Sequence, residues 1–184
     1  MLPAVMRRRL VAVACLLALV ALPATVAACG SEEATVVVEG EPAELGELAY
    51  NVQLTRFLNP DDVEDAEYLV GEPEPEPGTA YLGVFLTITN ENKDEPVDSA
   101  DGYRVLDTVD NEFLPTESES PYALEIGAEV AAESQLPTPD STAATGPNKG
   151  SLLLFLVEDS VSENRPLELE IESDEGTGIV ELDI

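Results

Sequence analysis

The side chains able to make or break bonds are few. The chain carries two cysteines, Cys15 and Cys29, no histidine and no tryptophan, against 38 acidic residues. Without histidine there is no Ser-His-Asp triad and no imidazole base, and no glycine-rich phosphate loop is present. Two chemistries remain. One is the Cys29 thiolate, a nucleophile that can form a thioether. The other is carboxylate chemistry. A Ca2+ ion takes about six to eight oxygens, mostly from carboxylates and carbonyls. The acidic groups dense enough to supply them are Asp61 to Glu67, Asp98 with Asp101, and Asp107 with Asp110 and Glu112. None has the EF-hand spacing, and Asp101-Gly102 is also an ordinary turn dipeptide, so a solvated turn competes with a metal site at each. Paired carboxylates also run glycoside hydrolysis. That reaction needs a sugar groove, usually lined by aromatics, and the chain has only four Phe and five Tyr.

Cys29 is placed by what precedes it. Arg7, Arg8 and Arg9 are followed by the uncharged apolar run Leu10 to Leu22, then by the small-residue stretch Pro23 to Ala28. That is the order of a secretory signal peptide. As a helix the apolar run spans only about 20 Å, short of the ~30 Å hydrocarbon core. Val26-Ala27-Ala28-Cys29 resembles the lipobox of bacterial lipoproteins. The resemblance implies cleavage before Cys29 and a diacylglycerol on its sulfur, so that the protein is held at the outer face of the bacterial cytoplasmic membrane. The competing reading is an ordinary cleaved signal, which leaves an unpaired thiol on an exported protein. Cys15 leaves with the signal in either case, so no disulfide can form within the remaining chain. No cofactor is expected besides the covalent lipid, with Ca2+ as the open alternative.

After the cut, Arg56, Lys93, Arg104, Lys149 and Arg165 are the 5 basic residues that face all 38 acidic ones, a formal charge of −33. Such a surface repels phosphate backbones, so nucleic acid is not an expected partner. It also repels anionic headgroups, so the lipid would hold the body while the body stands off. The charge suits cations or basic partners, and serves equally as a solvating surface.

The elements that must position these groups read as strands. Residues 29–47 read as a tether with a possible short strand at Val36-Val37-Val38. Leu48, Tyr50, Val52 and Leu54 alternate with Ala49, Asn51, Gln53 and Thr55, the period-2 signature of a half-buried strand. Residues 59–78 read as a long inter-strand loop, an acidic cluster followed by the Glu-Pro alternation of Gly71 to Gly78, which predicts an extended, polyproline-II-like stretch. The stretch from Pro60 to Gly78 is the expected contact region, because loops on a rigid scaffold are the usual binding surface. Leu82, Val84, Leu86 and Ile88 mark the strongest strand, and Asn90 after it is expected to cap a turn through its side chain. Further strands are expected at Tyr103 to Val109, Ser151 to Val157 (apolar on both faces, hence central), Leu167 to Ile171 and Ile179 to Ile184, with an irregular stretch from Pro115 to Asn148. About seven short strands and no long helix predict an all-β, antiparallel immunoglobulin-like β-sandwich over 48–184, after a signal peptide at 1–28.

The run Ala80 to Asn90 followed by Pro96-Val97, with Gly150 before an apolar strand containing Phe155 and then Leu167 to Ile171, resembles telokin-like, immunoglobulin-like domains of bacterial surface lipoproteins. Some members of that group are described as immunoprotective extracellular proteins. The resemblance covers roughly Leu48 to Ile184. It implies a sandwich more than any activity, since sandwiches host many functions. The functional expectation is a non-catalytic binding or scaffolding domain whose partner is an unknown envelope or extracellular protein. A Ca2+-dependent surface module and a carboxylate hydrolase are the alternatives.

Overall fold

The computed structural model describes residues 34–184; Val26, Ala27, Ala28 and Cys29 lie outside the described residues. In chain order the strands are β1 (Thr35–Val38), β2 (Pro42–Leu45), β3 (Leu48–Leu58), β4 (Thr79–Asn90), β5 (Val97–Asp98), β6 (Gly102–Leu106), β7 (Glu112–Phe113), β8 (Pro115–Thr116), β9 (Glu129–Val130), β10 (Gln135–Leu136), β11 (Ser151–Glu158), β12 (Leu167–Ser173) and β13 (Gly176–Leu182). One sheet has the order β1-β13-β12-β6-β7; the other has the order β2-β3-β4-β11-β8, with β10 also on β4. β5 and β9 form a small ribbon of their own. All pairings are antiparallel except β1 with β13. The expected all-β sandwich is the observed architecture.

The core forms where the inner faces meet. Leu82, Val84, Leu86 and Ile88 of β4 and Leu153, Phe155 and Val157 of β11 pack against Tyr103 and Val105 of β6, Leu167, Leu169 and Ile171 of β12, and Val180 of β13. The alternation that predicted β4 and β12 is what fills this space, because successive side chains on a strand point to opposite faces. β11 is central, as its doubly apolar pattern predicted, lying between β4 and β8.

Three expectations are corrected. Leu54 does not share a face with Leu48, Tyr50 and Val52. The register shifts between Val52 and Leu54, so Val52 sits opposite Leu86 whereas Leu54 sits opposite Phe85. A bulge inserts one unpaired residue, and with a side-chain period of two that one residue moves everything after it to the other face. Second, the short strand expected at Val36-Val37-Val38 is β1, but β2 follows it within 29–47, and the two pair into opposite sheets. Third, the segment between β3 and β4 is the expected inter-strand loop, but its first part is packed on the sheet and not simply presented to solvent. Residues 72–76 have no regular structure, but the preceding residues are a series of turns laid over the outer face of β4.

That outer face carries a second apolar layer: Leu58, Tyr68, Leu69, Tyr81, Phe85, Tyr122, Ala143, Leu152 and Leu154, with Leu54 against it. Tyr68 is 1% exposed. Its ring meets Phe85 edge-on at 5.1 Å and Tyr122 at 4.6 Å between centroids. Asp65 pins the same segment. Its buried carboxylate pairs with Arg56 and accepts the Asn59 backbone N–H at 2.8 Å. Farther along, Tyr81 donates its hydroxyl to the Pro73 carbonyl at 3.0 Å. The segment 117–150 closes the other half of this layer, where Tyr122 donates its hydroxyl to Glu67 at 2.8 Å. At the start of β11, Gly150 has φ +123°, and an added Cβ would lie 2.8 Å from the Leu86 backbone nitrogen.

Candidate functional site

A concavity lined by sequence-predicted residues lies at one end of the sandwich. Three turns build it. The β2–β3 turn contributes Leu45 and Leu48, with Tyr50 beneath; the β5 segment contributes Pro96 to Asp101; the β12–β13 turn contributes Ser173, Asp174 and Glu175. The volume is about 520 Å³. Local chemistry sets each wall. Gly46 turns the first hairpin with φ +60°, and a Cβ there would lie 2.7 Å from the Glu175 side chain, so only glycine lets the two turns close on one another. The β5 segment is hung from β4 by Asn90, as its expected capping role required. Asn90 is buried, its amide nitrogen donates to the carbonyls of Val130 at 2.9 Å and Glu95 at 3.1 Å, and its amide oxygen accepts the Asn92 N–H at 2.8 Å.

The wall chemistry is split. Leu45, Leu48, Pro96 and Val97 are apolar, whereas Asp98, Asp101, Asp174 and Glu175 are carboxylates and no Lys or Arg lines the space. None of these four carboxylates accepts a side-chain hydrogen bond or forms an ion pair among the described residues. Deeper lies a group of hydroxyls. Tyr50 OH accepts the Ala100 backbone N–H at 2.7 Å. Ser99, itself a wall residue, is 6% exposed, and its hydroxyl lies beside that of buried Tyr103. Burial, the neighbouring Tyr50 and the Asp101 charge push the Tyr103 phenol above its ordinary range, with Ser99 opposing them. Both phenols are therefore neutral hydroxyls at pH 7, available to donate as well as accept.

The structure separates the four predicted acidic ligands into two pairs. Asp98 and Asp101 share the cavity just described. Asp107 and Asp110 lie beyond the opposite end of β6, which runs from Gly102 opposite Glu172 to Leu106 opposite Glu168. Asp107 is buried and its carboxylate is saturated. One oxygen accepts the backbone N–H groups of Val109 and Asn111 at 2.9 Å each, and the other accepts the side-chain amides of Asn111 at 2.8 Å and Asn164 at 3.1 Å. Burial works to raise its pKa, but the donors outweigh it and hold the carboxyl below its usual value. Asp110 is exposed at the tip of the same turn with φ 63°. Among the described residues, no group of three or more His, Cys, Asp or Glu side chains is arranged to hold a metal ion.

Sequence reasoning missed Asp174, Glu175, Ser99 and Tyr50 as neighbours of Asp98 and Asp101. The one local signal was the turn sequence Asp174-Glu175-Gly176, and nothing local links it to Asp98. In the expected contact region, Pro60, Asp61, Leu69, Glu72 and Pro73 line a second hollow of about 330 Å³. Burial, and then the nearby Glu119 charge, raise the Glu72 pKa there.

No family model matches the chain, and no curated protein matches it. Among solved structures, it is similar to an uncharacterised β-sandwich protein from Clostridium difficile 630 at 13% identity, TM-score 0.49, over 82% of this chain and 95% of that one. It is also similar to the yjhA protein from Bacillus subtilis at 14% identity, TM-score 0.49, over 81% of this chain and all of that one.

Proposed function

We propose that the protein is a lipid-anchored, non-catalytic binding domain, held by a diacylglycerol on Cys29 at the outer face of the bacterial cytoplasmic membrane. The observation that carries the binding reading is the end cavity, a preformed space whose four carboxylates form no ion pair among the described residues. Pockets of about 300–1,000 Å³ with a few convergent polar groups are the usual form of a ligand site. The anchoring rests on the Val26-Ala27-Ala28-Cys29 sequence after a basic and then apolar leader. It fits the finding that no helix among the described residues is long and apolar enough to cross a membrane. The likeness to telokin-like, immunoglobulin-like surface lipoproteins belongs to the same reading, with an envelope or extracellular molecule as ligand. A non-catalytic role is favoured by a chain with no histidine.

In this reading the anchor also bears on how the body would sit. β1 starts at Thr35 opposite Gly178, beside the β12–β13 turn, so the chain enters at the cavity end. Five residues, Gly30 to Ala34, separate Cys29 from β1, a reach of at most about 18 Å. Metabolic labelling with a fatty-acid probe tests the anchor: label is expected on the wild type and lost in Cys29→Ala, and an unlabelled wild type refutes it. Affinity capture from envelope extract with the purified protein tests the binding role, which an absence of enrichment at every salt concentration refutes.

A further inference from the structure

We propose that the outer edge of β1 is a docking site for an extended basic peptide segment, which adds a strand to the β1-β13-β12-β6-β7 sheet. The site is separate from the end cavity and stands without it. Three observations carry it. The first is the direction of the backbone. Glu39 donates its backbone N–H to the Glu181 carbonyl at 2.9 Å. Alternate residues of a strand turn their backbone groups to alternate sides, so Thr35, Val37 and Glu39 face β13, and Val36 and Val38 face away from it. Among the described residues no strand pairs on that side. The Val38 carbonyl is taken by the Glu41 N–H at 2.9 Å, which leaves the edge the Val36 N–H and carbonyl and the Val38 N–H. The Val36 and Val38 side chains are 68% and 49% exposed, whereas Val37 packs on the core. What fits such an edge is another extended chain, whose main-chain groups complete the ladder.

The second observation is how the other edges are closed. β2 carries Pro42, β8 carries Pro115, and β7 is only two residues long. Proline and short length both blunt an edge. β1 is instead Thr35-Val36-Val37-Val38, uncharged, β-branched throughout and free of proline. The third is charge, which selects the occupant. On the outer face one row runs Val36, Ile179, Glu170 and the next runs Val38, Glu181, Glu168. Glu170 is held by Arg104, but Glu168 and Glu181 stand directly opposite one another, and neither forms an ion pair among the described residues. Like charges directly opposite destabilise a sheet. A strand added beside β1 lies two strand spacings, about 10 Å, from the Glu181 backbone, which a lysine or arginine laid over Val38 can bridge. The chain's own formal charge of −30 works against a second copy on this edge. The occupant therefore places an apolar residue beside Val36 and a base beside Val38, the alternation of a basic strand.

A blocked hexapeptide of alternating lysine and valine, titrated into the purified, isotope-labelled protein at pH 7 and followed by amide NMR, tests the proposal. Saturable shifts at Val36 and Val38 are expected, with slowed hydrogen exchange of both amides. A lysine-proline hexapeptide of equal charge lacks half the ladder donors and should not protect them, and a glutamate-valine hexapeptide should not bind. Glu181→Gln should weaken binding about twofold to fivefold, the scale of one exposed charge pair. Glu64→Gln, an exposed acid in the β3–β4 segment, should leave it unchanged. Val36→Pro removes an open donor and should abolish binding while circular dichroism shows the sandwich still folded; if that variant does not fold, the exchange rates and Glu181→Gln decide. Equal binding of the lysine-proline peptide, amides of Val36 and Val38 that do not respond, or equal effects of Glu181→Gln and Glu64→Gln would each overturn the proposal. Dimerisation of the free protein in sedimentation, abolished by Val36→Pro, would assign the edge to a second copy and overturn it too. Failure of the peptide leaves the cavity and its capture experiment standing.

Discussion

Replacing Tyr68 separates a packed outer layer from a loop resting on the surface. Tyr68 is buried between Phe85 and Tyr122. A tyrosine side chain buries roughly 200 Å², which at about 25 cal/mol per Å² gives an upper figure near 5 kcal/mol. Each aromatic pair adds about 0.5–1.5 kcal/mol, and relaxation around the vacancy returns part of the total. Tyr68→Ala should therefore destabilise by about 4 kcal/mol, within the range for large aromatic truncations in cores. Tyr68→Phe should behave in the opposite sense. The Tyr68 hydroxyl is buried with no partner, so removing it should be neutral or stabilise by up to ~1 kcal/mol. Urea denaturation measures both, and limited proteolysis reports on residues 59–78, which should become cleavable in Tyr68→Ala alone. A loss below about 1 kcal/mol in Tyr68→Ala, with the segment still protease-resistant, would refute the outer-layer reasoning.

Asp65→Ala should cost about 2–3 kcal/mol in urea denaturation, because it removes the buried acceptor of Asn59 and the partner of Arg56; the figure is kept low because the Arg56 side chain is 35% exposed. Asp107→Ala should cost about 2 kcal/mol at neutral pH. The folded Asp107 carboxyl lies below its usual value, so its contribution is present above the unfolded pKa of about 4 and is lost as pH falls through the folded one; the gap between wild type and variant should close in acid. Alkali should act with the opposite sign. Tyr122 is pushed up to about 12, first by its hydrogen bond to Glu67 and then by burial, and burial also raises Tyr50, Tyr81 and Tyr103. Their contribution is whole below about pH 10 and is lost above it as pH rises through the folded values, so tyrosinate absorbance should appear together with unfolding and not before it.

What could be read from the chain was whatever depends on near neighbours. Leu82 to Ile88 announces β4 because alternation is a local property, and Leu152 to Leu154 beside Leu153 and Phe155 announces a strand covered on both sides. The same doubly apolar pattern in Tyr81 and Phe85 was evidence of an outer layer, but which segment supplied the cover was not readable. Tyr68 sits among Asp and Glu residues that suggest solvent, and its burial depends on a sheet face formed farther along the chain. Leu54 was misplaced because a bulge leaves no mark in the pattern of residue types. Asp98 and Asp101 were legible as acids in a turn. Their convergence with Asp174 and Glu175 was not, because two hairpins must close around Gly46 before the four share a space.

The parallel pairing of β1 with β13 has a mechanical consequence. Thr35 to Val38 lies alongside Gly178 to Glu181 in the same direction. A pull on Thr35 away from the body, along the strand, slides β1 past its neighbour and stretches the whole ladder at once. Peeling from one end would break the same bonds in turn. The weakest-looking strand of the sandwich thus meets a pull from its N-terminal side with all of its bonds sharing the strain.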